Sequence, residues 1–305
     1  MGTPAFAVPS LKVLLREGYD VKLVLTQPDR PIGRGQRVAF SPIKELALEH
    51  GLSVLQPEKL RGNEEVFDKI REARPDAIVV VAYGQFLPRS ILDLPSFGCV
   101  NVHASLLPKY RGAAPIQWAI AQGEEVTGVS TMFMAEKMDA GPILLKAECP
   151  ILPDDTAESL SPRLAALGGE LLAETLRKIF DHSIQPIPQD EKLVSFAPLI
   201  KKEDGVIDWK KPAPEIARRI RGFFPWPGST TTLEGKIVKV SEAVAIEGKA
   251  APGLVLSCDE EGWRVGTGEG LLLIKQVQIP GRCCQPACEA ARGLRCISPG
   301  SKLGE

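Results

Sequence analysis

Three polar side chains in this sequence have the types and spacing for chemistry at a carbonyl carbon. Asn101 and His103 stand two apart in the run Gly98-Cys99-Val100-Asn101-Val102-His103. That run reads as a buried strand, and residues two apart on a strand point to the same face. If the strand ends there, both face the crevice at the carboxyl edge of an open α/β sheet, where such sheets place their ligands. An amide can donate to a carbonyl oxygen that becomes an oxyanion, and an imidazole can take a proton or steady the same charge. A histidine at a strand end is also a common hydrogen-bonded structural residue, so the pattern alone leaves both roles open. The chain has only two other histidines, His50 at a helix end and His182 in a linker-like stretch, where exposure is the default. The third group is Asp139, in the tight turn Met138-Asp139-Ala140-Gly141-Pro142. Aspartate in such a turn often bonds its own backbone. Folded over the same crevice, it would orient and charge-stabilise His103 or receive a proton from an attacking nucleophile.

The elements that must hold these groups are legible as a doubly wound, mostly parallel α/β sheet. Helical periodicity covers Phe6 to Glu17, Pro42 to His50 and Glu64 to Ala73, and Val21 to Thr26 and Ala77 to Ala82 read as buried strands between them. Strands apolar on both faces and separated by helices imply a parallel sheet covered on both sides. Gly128 to Met134 and Pro142 to Ile151 add strands, and Thr156 to Phe180 is a long helical region containing Pro162. Residues 1–182 form this first domain. The proline-spaced stretch 183–200 is a linker crossing the surface. Residues 201–305 combine a short helix near Pro214 to Ile220 with several short β-type segments separated by Gly-rich turns, which suggests a small barrel.

Composition narrows the classes. The chain has 305 residues, 44% hydrophobic and 25% charged, close to the globular average. A formal net charge of -1 excludes a protein that binds nucleic acid through bulk positive charge. Split at Pro198, the second part has 16 basic against 13 acidic residues, a charge of +3, and the first has 21 against 25, a charge of -4. No apolar run reaches the length of a membrane span, and Met1-Gly2-Thr3-Pro4 lacks the character of a signal peptide, so a cytosolic protein is expected. Seven cysteines, with Cys99 and Cys149 isolated in apolar segments and Cys283, Cys284, Cys288 and Cys296 near the end, make no disulfide framework. They contain no Cys-x-x-Cys pair, and no metal is expected.

One segment is locally basic. Arg30 to Lys44 holds Arg30, Arg34, Arg37 and Lys44 with no acidic residue, and Gly33 and Gly35 loosen it. Such a loop is either a solvated surface or a phosphate contact. Gly266-Thr267-Gly268-Glu269-Gly270 imitates a phosphate loop, but no helix follows it, so a hairpin turn is the better reading. Trp209 and Trp226 are assigned to packing rather than to base stacking.

The run Asn101 to Gln117, with Met138 to Gly141, resembles the formyltransferases that use 10-formyltetrahydrofolate. Gly2-Thr3-Pro4-Ala5-Phe6-Ala7-Val8-Pro9, Thr26-Gln27-Pro28-Asp29-Arg30, Val81-Ala82-Tyr83-Gly84, Ile207-Asp208-Trp209 and Phe224-Pro225-Trp226-Pro227-Gly228 extend the likeness to the methionyl-tRNA formyltransferase branch of that family. The resemblance implies a formyltransferase-like Rossmann domain and an OB-like barrel that binds tRNA. It implies transfer of a formyl group from 10-formyltetrahydrofolate to the α-amino group of initiator methionyl-tRNA, by a monomer in the cytoplasm or an organellar matrix. Carried over by position, Asn101, His103 and Asp139 are the catalytic trio, and Ser105, Leu106, Leu107 and Pro108 line the folate site. Arg34, with Arg30 and Arg37, contacts tRNA. The competing readings are a formyltransferase acting on a small amine and a tRNA-binding relative without activity.

Two stretches depart from the family pattern. Met1 stands where the first strand should end, so the sheet is expected to lack that strand and the recorded start to lie downstream of the natural one. The Cys-rich tail replaces a basic helical segment, which puts the barrel's last element in doubt.

Overall fold

The structure is a computed structural model and describes residues 1–32, 37–293 and 297–305. In chain order its first elements are α1 (Val8–Arg16), β1 (Val24–Leu25), β2 (Arg30–Ile32), β3 (Arg37–Ala39), α2 (Pro42–Glu49), β4 (Val54–Leu55), α3 (Glu64–Glu72), β5 (Ile78–Val80), α4 (Arg89–Leu92), β6 (Cys99–His103), α5 (Pro115–Gln122), β7 (Val126–Phe133), β8 (Ile143–Pro150) and α6 (Ala157–Phe180). There follow α7 (Ala213–Gly222), β9 (Ser229–Leu233), β10 (Lys236–Ile246), β11 (Val255–Asp259), β12 (Gly262–Gly266), β13 (Leu271–Gln278), β14 (Gln285–Pro286) and α8 (Ala287–Gly293). The chain divides into two compact units, one of Met1–Gly112, Val126–Pro150 and Ser161–Ala197, the other of Ala113–Glu125, Ile151–Leu160 and Pro198–Glu305.

Local chemistry sets the helix starts in the first unit. The Ser41 hydroxyl accepts from the Lys44 amide at 3.3 Å before α2, and Asn63 Oδ1 accepts from Val66 at 3.2 Å before α3. Each satisfies an amide that the first helical turn leaves without a partner. β5, β6, β7 and β8 form one sheet in that order, with β5 and β6 parallel and β6–β7 and β7–β8 antiparallel. With the parallel β1–β4 pair and the parallel bridge of Gly2 to Val81 counted, the sheet is mostly parallel as expected, and β7 and β8 extend it antiparallel. The segment joining β7 to β8 is a short turn, and a parallel return would need a crossover of a dozen or more residues. All five residues of β6 are buried.

β1 and β4 pair in parallel beside this sheet. Met1 and Gly2 stand between β1 and β5: the Gly2 amide donates to Leu25 O at 2.9 Å, and Val81 donates to Met1 O at 2.9 Å. A cavity of ≈ 280 Å³ lies alongside, lined among others by Leu14, Leu23, Ile78, Leu176 and Phe180. The Met1 ammonium, 2.7 Å from Val79 O, is pushed down to about 5 by burial.

In the second unit, β11–β12–β13–β10–β9 form an antiparallel sheet, with β14 on β13. The expected barrel is thus a sheet whose end strands, β11 and β9, do not pair with each other among the described residues. Single bridges from the chain end join its two sides, Lys302 to Leu254 and Leu303 to Leu233. Trp263, Val238, Leu272, Ile274 and Val277 form its core with Ile216 and Ile220 of α7. The tail does supply a closing element: α8 buries Ala287 and Ala290 in that core, and Trp263 Nε1 donates to Ala287 O at 2.7 Å. Cys283 and Cys284 are exposed and Cys288 is a free thiol, while Cys296 lies outside the described residues.

Candidate active site

β6 ends on the residues that matter. Asn101 and His103 are 8% and 6% exposed, paired across the ladder with Met132 and Ser130 of β7. Among the described residues the Asn101 amide has no hydrogen-bond partner. The His103 ring is held: Nε2 is 2.9 Å from the carbonyl oxygen of Tyr110. A carbonyl only accepts, so Nε2 carries the hydrogen and Nδ1 is the nitrogen left for proton exchange. Nδ1 lies 3.7 Å from Asp139 Oδ2. That gap is beyond hydrogen-bond length, and Asp139 instead accepts from the Gly112 amide at 2.8 Å. The structure therefore brings Asn101, His103 and Asp139 together, with the carboxylate facing the imidazole across an open gap.

The turn that carries Asp139 is strained in a specific way. Asp139 has φ +49°, in the left-handed region that a non-glycine residue adopts at a cost of about 1 kcal/mol or more. At Gly141 a Cβ would lie 1.8 Å from Phe133 O, so only glycine lets the turn close onto β7.

The loop after β6 is folded by a serine that sequence reasoning passed over. The Ser130 hydroxyl donates to Ser105 O at 2.7 Å and accepts from the Leu107 amide at 3.0 Å. Ser105 donates to Lys109 O at 2.6 Å, closing the loop on itself. Of the four residues expected to line the folate site, Ser105 and Leu107 are wholly buried, and Leu107 packs with Met132 and Ile143. Leu106 and Pro108 keep partial exposure. Ser130 shares its strand with two other hydroxyl residues, Thr127 and Thr131, and what sets it apart is its place opposite His103 on the ladder.

Parts of the basic segment are strand. β2 and β3 pair antiparallel, Arg30 opposite Ala39 and Ile32 opposite Arg37. Arg30 is exposed, and Arg34 lies outside the described residues. Lys44 belongs to α2 and is ion-paired with Asp29, the acidic residue just outside the acid-free window. Among the described residues no group of histidine, cysteine, aspartate and glutamate could hold a metal ion.

Comparison with known proteins shows the family of this chain. Residues 1–176 match the family model described as formyl transferase, and residues 199–295 match its C-terminal domain. The methionyl-tRNA formyltransferase of Citrifermentans bemidjiense is 47% identical over 305 residues, covering 100% of this chain and 95% of that protein. That of Koribacter versatilis is 51% identical over 304 residues, covering 99% and 97%.

The chain belongs to the methionyl-tRNA formyltransferase family.

Solved structures share the family's fold at lower identity. The N-formyltransferase of Helicobacter canadensis, in complex with folinic acid and dTDP-3-aminofucose, superposes with a TM-score of 0.68 at 19% identity, over 91% of this chain and 97% of that one. HypX of Aquifex aeolicus with tetrahydrofolic acid gives a TM-score of 0.59 at 21% identity, over 88% of this chain and 46% of that longer one. Both of those structures contain a bound folate.

Proposed function

We propose that this protein transfers the formyl group of 10-formyltetrahydrofolate to the α-amino group of initiator methionyl-tRNA. The observation that carries the reading is the Asn101 amide, nearly buried and without a partner among the described residues, two positions from a histidine that faces a carboxylate. An amide so placed can bond a ligand without giving up a hydrogen bond inside the protein. That donor also fits the formyl oxygen of a bound formylfolate, and Leu106 and Pro108 offer the partly exposed apolar surface at the loop for the folate.

When bound, the donor supplies an activated formyl carbon for attack by the amine. Asn101 donates to the formyl oxygen as negative charge develops there. His103, fixed through Nε2 on the Tyr110 carbonyl, holds a proton at Nδ1, and the resulting positive ring steadies the same charge. Asp139 faces that nitrogen and takes the proton that the attacking amine loses, while His103 gives its Nδ1 proton to the folate nitrogen as the bond from that nitrogen to the formyl carbon breaks and tetrahydrofolate leaves. No covalent intermediate with the enzyme is required.

The same proposal assigns catalysis to residues 1–182 and tRNA binding to residues 201–305, with 183–200 as the linker. Arg34, together with Arg30 and Arg37, contacts the tRNA backbone, and the protein works as a monomer in the cytoplasm. Among the described residues no helix is long and apolar enough to cross a membrane.

The test offers 10-formyltetrahydrofolate with charged initiator tRNA, charged elongator tRNA and small amines such as an amino sugar. Formyl incorporation into initiator tRNA is expected. Incorporation confined to a small amine overturns the tRNA reading, and none with any acceptor overturns the catalytic one.

A further inference from the structure

The proline-spaced segment after α6 does more than connect. Ile187 exchanges two backbone hydrogen bonds with Ile143 at 2.8 Å, and Arg111 bridges to Phe196 in parallel, its amide donating to Ser195 O at 2.9 Å. These two anchors lay the stretch between them across the Asp139 turn. Gln189 sits there, and both ends of its amide are engaged. Nε2 donates to the carbonyl oxygens of Asp139 at 2.8 Å and Gly141 at 2.7 Å, while Oε1 accepts from Arg111 Nε at 2.9 Å.

Arg111 is 1% exposed. Its Nη2 donates to Glu191 at 2.9 Å, and its Nη1 is buried without a partner among the described residues. A guanidinium buried in this way is costly unless its position serves something else. What it serves is the orientation of Gln189: by donating to Oε1 it decides which end of that amide faces the turn. The turn needs holding, because Asp139 is in the left-handed region and Gly141 lies against Phe133 on the opposite side.

We infer that Gln189, oriented by Arg111, is a positioning residue that fixes the Asp139 carboxylate toward His103 by clamping the backbone on either side of it. The inference rests on the reading of Asp139 given under the proposed function. Displacement of a reacting group by about 1 Å from its working geometry is enough to cost on the order of 10²-fold in rate.

Gln189→Glu separates the parts, because its carboxylate still accepts from Arg111 but no longer donates to the two carbonyls. The expected result is a loss in kcat of about 10- to 100-fold with KM for folate and for tRNA unchanged, beside a lowered melting temperature because two carbonyls lose their donor. In an Asp139→Ala background, Gln189→Glu should remove nothing further from the residual turnover. A wild-type kcat in Gln189→Glu, or an equal additional loss in the Asp139→Ala background, would overturn the inference while leaving the trio intact. Wild-type turnover in Asp139→Ala alone would instead overturn the functional reading on which it rests.

Discussion

The imidazole of His103 and the carbonyl of Tyr110, seven residues further along the chain, are joined at 2.9 Å through Nε2. The contact ties the last residue of β6 to the loop that follows it and selects the neutral tautomer, with hydrogen on Nε2 and the lone pair of Nδ1 toward Asp139. Nitrogen-15 chemical shifts of labelled protein at a pH where the ring is neutral should report the Nε2–H form. A dominant Nδ1–H form would mean that the Tyr110 contact does not hold in solution, and with it the assignment of Nδ1 as the exchanging atom.

Asn101 has no bond to lose within the described protein, so truncating it should spare the fold. Asn101→Ala is expected to lower kcat by about 10²- to 10³-fold, as for removal of an oxyanion donor, with an unchanged melting temperature. Comparable losses are expected for His103→Ala and Asp139→Ala. Steady-state kinetics beside thermal melts checks this, and near-normal turnover in any one variant removes that residue from the trio.

Ser130 is expected to act through the loop it holds. Ser130→Ala strands the buried Leu107 amide and the Ser105 carbonyl, a loss of about 1–3 kcal/mol for unsatisfied polar groups. The outcome is lower stability by urea melts and a raised KM for the folate, from a loop that no longer keeps one shape. Stability equal to the parent protein would show that the loop has other support.

Cys99 is buried in β6, and burial pushes its thiol up to about 12 from an ordinary 9.0. The folded state keeps this proton between those values while the unfolded state releases it. The contribution to stability is therefore intact below pH 9 and is lost as pH rises toward 12. In the native protein at pH 8 the exposed Cys283 and Cys284 should react with a thiol reagent at once, and Cys99 only on unfolding. Rapid labelling of Cys99 under native conditions would contradict its placement.

The basic segment makes the last prediction. Arg34→Ala should raise KM for tRNA, leave kcat near its parent value and reduce the slope of log affinity against log salt by about one phosphate contact. An unchanged KM and salt slope would return the segment to ordinary surface.

The helices over Pro42 to His50 and Glu64 to Ala73 were legible from local periodicity, and the alternation around Asn101 and His103 places both on one face of a strand, whereas α5 and the β2–β3 pair were not read. Long-range closure was not legible in the same way. That β7 and β8 run antiparallel depends on the turn between them, and that the Cys-rich tail returns as α8 depends on Ala287 and Ala290 finding the core around Trp263. The basic window from Arg30 to Lys44 looked acid-free only because Asp29, the partner of Lys44, stands one residue outside it.

The sequence by itself determined which residue types could act and that Asn101 and His103 share a face, since a strand's two-residue period is a property of the backbone. It also carried the family resemblance through contiguous motifs. Only the tertiary structure decided which groups are already committed to other partners. Ser105 and Leu107 belong to the loop's interior, Asp139 is bonded to Gly112, and Gln189, in a stretch read as a surface linker, holds the turn beneath the carboxylate. Commitment of a polar group depends on what lies within about 3 Å of it. Between residues 50 positions apart, such as Gln189 and Asp139, that distance is set by the packing of the whole unit and by no local pattern.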